Sequence, residues 1–437
     1  MLVEGERIVT VGPTDQVVVP NNTEVVDGAG HYLIPGLWDM HVHVADAHTP
    51  VVDMPLMVAH GVTGVREMGT DCQPGEAGIC LDSVRTWQRR IEARELLGPR
   101  LLALSSWAVA GPPPPDRPLP DSVPTFFRAA TPDDARLLAR HFAAQGVDFI
   151  KVYDRVPREL FFALMDEARR LGLPVAGHKP REVSAIELSN AGQASVEHAR
   201  VFLFDCFPSA DSLRRSGAGL IVMQRRAVDE HDPAMCEEVF RTFAENGTAY
   251  VPTHLTRRMD AFADDSTFRN DARSKYIPEG LWVEWNEDAD RMVAVDPSPE
   301  GRRAMMDFYL KGLEITGTAH RAGVRVMLGT DSGDSYVFPG FAVHDELKEL
   351  VRAGLTPAEA LRAATLTGAE FLGRTADFGT VAVGKRADLV LLSANPLDDI
   401  RNTQRIEAVV LDGRYLDREA LDALLVETEK AAKTAQN

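Results

Sequence analysis

A parallel (β/α)8 TIM-like barrel carrying a small β-sandwich domain, in the α/β class, is the fold the sequence predicts. Three observations predict it. Eight short apolar runs alternate with segments of helical periodicity. Further β-like runs cluster at both chain ends. Six metal-competent side chains fall at the C-terminal ends of five of the eight runs, where a barrel gathers its site. The 437 residues, 45% hydrophobic and 26% charged, are enough for a large core.

The first 35 residues carry short strand-and-turn patterns, Arg7 to Gly12 and Glu24 to Gly28. Residues 379–415 repeat the type, in Gly379 to Gly384, Ala387 to Leu392 and Ala408 to Gly413. The two ends, 1–35 and 379–437, are therefore expected to pair into one small β-domain, with a barrel over 36–378 inserted between them. From Asp417 the tail reads as a helix that frays.

Within the barrel the expected strands are 37–44, 63–69, 100–108, 148–154, 174–179, 195–200, 249–254 and 326–331. Thr131-Pro132-Asp133-Asp134 and Thr356-Pro357-Ala358-Glu359 are helix starts with a cap, proline at the first turn and acidic residues behind it. Two connections are unusual. The proline run Gly111 to Pro118 reads as a stiff rim loop, with a ligand for a proline-binding module as the alternative. The stretch of about 255–320 exceeds one βα unit and holds Tyr276, Trp282, Trp285, Phe308 and Tyr309. It reads as a helical lid, or else as a partner surface.

The chemistry starts at Leu33 to Val44. His41 and His43 stand two apart on a short strand, so their imidazoles face one side. Two converging imidazoles make half of a site suited to zinc. Lys151, His178, His198 and Asp331 end the fourth, fifth, sixth and eighth runs. Each alone has a bland reading, as a satisfied core histidine or a helix cap. Six at one barrel mouth do not.

These motifs carry a resemblance. Pro35 to His43, Gly61 to Gly69, Phe149-Ile150-Lys151, Ala176-Gly177-His178, Ser195 to Ala199, Leu328 to Ser332 and Gly379 to Leu392 resemble the metal-dependent amidohydrolase superfamily over nearly the whole chain. The nearest group is that of imidazolonepropionase-like proteins and Xaa-Pro and Xaa-Arg dipeptidases with a carboxylated lysine. The resemblance implies two divalent metal ions, zinc foremost. His41 and His43 would share a buried metal with Asp331, and His178 and His198 would hold a second. Lys151 would bridge both as a carbamate formed with CO2. Burial lowers a lysine's pKa and frees the neutral amine for that reaction. The alternative for Lys151 is a plain cation beside Asp331. A hydroxide bridging the metals would then cleave an amide C–N bond, with Asp331 as the catalytic proton acceptor.

Dipeptides or N-acyl amino acids are the expected substrates. Lys179 and Arg181 follow His178 and are candidates for a substrate carboxylate, with a solvated rim as the alternative. Related dipeptidases carry tyrosine where Arg181 stands. Tyr153 and His254 are further substrate-facing candidates. A mononuclear deaminase or cyclic amide hydrolase is the rival reading, against which Lys151 counts, and a non-catalytic scaffold is a third.

The net charge of −18, with no basic block, argues against nucleic acid and anionic membranes as partners. A homo-oligomer is expected. Cys72 with Cys80 and Cys206 with Cys236 form two disulfides or remain four free thiols. No signal peptide is visible, which makes the cytoplasm the default. The N-terminal β-domain reads as incomplete, which keeps export open.

Overall fold

The computed structural model describes residues 1–73, 78–113, 123–216 and 218–435. Its inner layer is eight parallel strands: β1 (Leu37–Val42), β2 (Val62–Glu67), β3 (Arg100–Leu104), β4 (Ile150–Val152), β5 (Val175–Gly177), β6 (Ser195–Glu197), β7 (Ala249–Val251) and β8 (Arg325–Val326). One lies at each expected run, and all are shorter than expected. The chain leaves the ladder early because the residues past each strand turn into the mouth. His198 and Asp331 do so at φ 76° and 66°.

β1, β2 and β3 form one parallel sheet and β4 to β8 another. Parallel bridges Ser105↔Phe149 and Val109↔Val152 join the two on one side. On the other side Val42 bridges Ser332, and the Met40 amide donates to the Leu328 carbonyl. The strands thus follow one another in chain order and return to β1, a TIM-barrel-like arrangement.

Helices cover this layer. Pro132–Gln145 starts with the expected capping box between Thr131 and Asp134 and ends on Gly146 at φ 77°. Its Leu138 and Phe142 pack in the main core with Leu160, Phe161 and Leu164 of the helix Arg158–Leu171. Fully burying a side chain such as Phe161 contributes roughly 1.5–3 kcal/mol. Thr356 and Glu359 make the second expected capping box.

The chain ends pair. Tyr32–Pro35 runs antiparallel to Leu389–Leu392 in a four-stranded sheet completed by Ile406–Leu411 and Arg414–Asp417. A hairpin of Leu2–Glu4 and Arg7–Thr10 sets Val3 and Ile8 against Leu33, Leu389 and Val410 of that sheet. Two expected strands are not formed. Glu24 to Gly28 lacks a partner strand and leaves Val25 75% exposed. Gly379 to Gly384 is an irregular turn, in which Gly379 sits at φ 91° and a Cβ on it would lie only 2.9 Å from the Leu366 Cα.

The stretch after β7 is helical, in His254–Phe262, Ser266–Arg269, Glu279–Val295 and Pro299–Arg321. Phe308 and Tyr309 are buried in the main core, so Pro299–Arg321 is part of the barrel's outer layer. Trp282 and Trp285 form a separate aromatic cluster with Tyr336 and Phe338. Of the proline run, Pro114 to Pro118 lie outside the described residues. Both cysteine pairs are bonded, Cys72 to Cys80 and Cys206 to Cys236, which settles that alternative against free thiols. No helix among the described residues is long and apolar enough to cross a membrane.

Candidate metal centre

β1 ends in His41 and His43, and the expected convergence is present. The Nε2 atoms of both lie 3.1 Å from Asp331 Oδ1. One ligand atom from each of the three falls within 4.8 Å of the others, a spacing that fits one metal ion. His41 is fully buried, whereas the His43 side chain is 41% exposed toward the mouth. Burial alone would raise the Asp331 carboxyl, but His41, His43 and His198 outweigh it and hold it well below the usual carboxylate range. Asp331 is therefore an anion ready to ligate.

Behind the triple stands a buried polar scaffold. Glu197 Oε2 lies 3.0 Å from His41 Nδ1, and Glu197 Oε1 accepts from Arg66 Nη2 at 3.0 Å. Burial would raise the Glu197 carboxyl, yet Arg66 and His41 bring it down to about 2. The charged carboxylate accepts a hydrogen bond from Nδ1–H, which leaves the His41 lone pair on Nε2, the nitrogen that faces Asp331. Arg66 also donates to the Met40 carbonyl at 2.6 Å and to Ser195 Oγ at 2.8 Å, tying β1, β2 and β6 together. Asp39 accepts from the Thr330 amide at 3.0 Å and the Thr330 hydroxyl at 2.6 Å, fixing the approach to Asp331.

Lys151, at the middle of β4, is buried with Nζ 3.4 Å from His41 Nε2. Burial lowers its pKa. His178 and His198 meet Nε2 to Nε2 at 2.9 Å, and His198 Nδ1 lies 2.8 Å from Thr253 Oγ1 and 3.5 Å from Asp331 Oδ2. Burial pushes both imidazoles well below their ordinary value, so both are neutral and able to ligate. Arg200 Nη2 lies 3.0 Å from His178 Nδ1. An arginine only donates, so Nδ1 is the accepting nitrogen in this arrangement.

Lys151, His178, His198, His43 and Asp331 all line a cavity of about 540 Å3. Tyr153 lines it too, its ring 4.3 Å from that of His178. The other substrate-facing candidates lie elsewhere. Lys179 pairs with Asp205 at 3.1 Å and Arg181 with Asp154 at 2.8 Å, and both face a smaller adjoining cavity. Short charged neighbours took them before a substrate could. His254 is fully buried outside the cavity lining, and burial pushes its imidazole down to about 3. It begins a helix instead of ending a strand, and Glu346 accepts from its amide at 2.9 Å. Sequence reasoning did not single out Trp107, Arg200, Arg257 or Asp334, which also line the cavity. Arg200 had a signal, standing two residues past His198.

A family model described as the amidohydrolase family matches residues 308–416. Among solved structures, bottromycin amidohydrolase is 26% identical with TM-score 0.71, over 92% of this chain and 81% of that one. A Bifidobacterium longum structure provisionally assigned as a prolidase is 26% identical with TM-score 0.64, over 97% of this chain and 92% of that one. Imidazolonepropionase of Symbiobacterium thermophilum is 25% identical over 89% of this chain and 82% of its own length. The motifs, the histidine and aspartate geometry and these likenesses agree, and the chain is similar to the amidohydrolase family.

Proposed function

We propose that this protein is a binuclear metal-dependent hydrolase that cleaves an amide C–N bond in dipeptides or N-acyl amino acids. The observation that carries the reading is the His41–His43–Asp331 cluster opening on a cavity that Lys151, His178 and His198 also line. His41, His43 and Asp331 would hold one ion and His178 and His198 a second, with imidazole nitrogen and carboxylate oxygen suited to zinc. When bound, the ions supply Lewis acidity at this end of the cavity.

The chain's own residues do the rest. Lys151, whose pKa burial lowers, would add through Nζ to CO2 with loss of one proton, and the resulting carbamate would offer two anionic oxygens to the bound ions. Asp331 takes a proton from the attacking water and passes it to the leaving nitrogen. Glu197 holds His41 in one tautomer throughout. Tyr153 and Trp107 wall the cavity and orient the substrate beside the ligands.

One observation favours a single-metal hydrolase or deaminase as the alternative. Among the described residues only His41, His43 and Asp331 form a cluster of three, and Arg200 engages His178. Metal content by emission spectrometry, paired with a panel of dipeptides, N-acyl amino acids, cyclic amides and aminopurines, separates the two. Two ions per chain with release of amino acids supports the proposal. One ion with ammonia released from aminopurines overturns it.

A further inference from the structure

We propose that Arg200 is the carboxylate anchor of the substrate site, selecting amides whose C-terminal side is an apolar amino acid with a free carboxylate. This rests on the amide-hydrolase reading above. Apart from Lys151, four cations line the two adjoining cavities, and three are matched by carboxylates. Lys179 pairs with Asp205, Arg181 with Asp154, and Arg257 with Asp260. Arg200 alone has no carboxylate within ion-pair distance among the described residues. Its side chain makes a single donation, to His178 Nδ1 at 3.0 Å, which leaves most of a five-donor fork unused.

An unmatched guanidinium in a partly buried wall is a receptor for a planar anion. Its place adds direction. Arg200 lines both the 540 Å3 cavity with the metal ligands and the adjoining one of about 310 Å3. Val201, Phe204, Leu220 and Met223 give that second cavity an apolar wall. A carboxylate on Arg200 therefore sets the scissile amide on the ligand side and an apolar side chain on the other. The carboxylate also competes with His178 for the guanidinium, so anion binding releases His178 Nδ1.

The test is calorimetric titration of the metal-loaded protein with L-leucine, a product that cannot be hydrolysed, and with L-leucinol, which lacks the carboxylate. Wild type should bind leucine at least about tenfold tighter than leucinol, the worth of a charge-assisted pair. Compared at matched metal content, Arg200→Met should abolish that preference while leaving leucinol affinity unchanged. Retained preference in Arg200→Met, or equal loss for both compounds, overturns the anchor, as does a wild type that does not discriminate. If Arg200→Met does not fold, Arg200→Lys decides. A preference cut at least about threefold supports the two-pronged contact, and an undiminished one overturns it. Arg200-dependent leucine binding in a wild type that hydrolyses no amide would keep the anchor and remove the hydrolase reading. Amide hydrolysis indifferent to Arg200→Met would do the reverse.

Discussion

Glu197 and His41 face each other across the barrel with Oε2 and Nδ1 3.0 Å apart and neither side chain exposed to solvent. The pair fixes the proton on Nδ1, and a neutral amide in place of the carboxylate would hold it less firmly. Glu197→Gln should weaken metal binding by roughly 10–100-fold. Competition with a chromophoric chelator measures this. Wild-type affinity in the variant would show that His41 is oriented by packing alone.

Lys151→Ala tests the proposed bridge. Metal content should fall below that of wild type and turnover should be lost. Short-chain carboxylic acids, which supply two oxygens at the vacated position, should restore part of both. Full activity with two ions retained would remove Lys151 from the site.

The ion pair of Lys179 with Asp205 predicts a role for Lys179 in stability rather than in substrate binding. Its pair with Asp205 is almost wholly buried, and leaving one partner alone there costs about 3–5 kcal/mol. Lys179→Met should therefore melt at a lower temperature with KM little changed. A raised KM at an unchanged melting temperature would return Lys179 to the substrate.

The two disulfides make a direct prediction by mass. Alkylation of denatured protein without reductant should add nothing, and reduction first should add four groups. The Cys206–Cys236 bond closes a separation of 30 residues, and a loop of that size is worth about 3.6 kcal/mol in the chain-entropy account. Cys206→Ser with Cys236→Ser should lower the urea midpoint accordingly. An unmoved midpoint would mean that the loop is held by its packing.

Acid sensitivity should come partly from His60 and His344, which lie in contact away from the metal ligands. Burial pushes His60 down to about 3 and His344 down to about 4. An unfolded histidine titrates near about 6.5. Below that value the unfolded chain takes up protons that the native state refuses. Stability present above about pH 6.5 is therefore lost as pH falls through about 4 and then 3. Melting curves from pH 7 to 4 should show this decline, with a shallower slope in His344→Gln. Parallel slopes would place the acid sensitivity elsewhere.

The strand order and the convergence of His41, His43 and Asp331 were legible because both are written in short-range pattern. His41 and His43 on one strand face, and Thr131 or Thr356 before Pro and an acid, need no knowledge of distant residues. The substrate wall was not legible because long-range pairing decides it. Lys179 and Arg181 looked available until Asp205 and Asp154 came beside them, from 26 and 27 positions away. Arg200 became conspicuous only when its neighbours' partners were known. Glu24 to Gly28 had strand composition, but no edge was left to receive it.

His198 and Asp331 hold their backbones in the left-handed region that a side chain disfavours. Glycine would sit at either place with less conformational tension and would also delete the ligand. Selection for thermal resilience alone would thus drift toward erasing this centre. A bulky ring and a carboxylate nevertheless stand at these two unfavourable turns, a local cost that the proposed chemistry would account for.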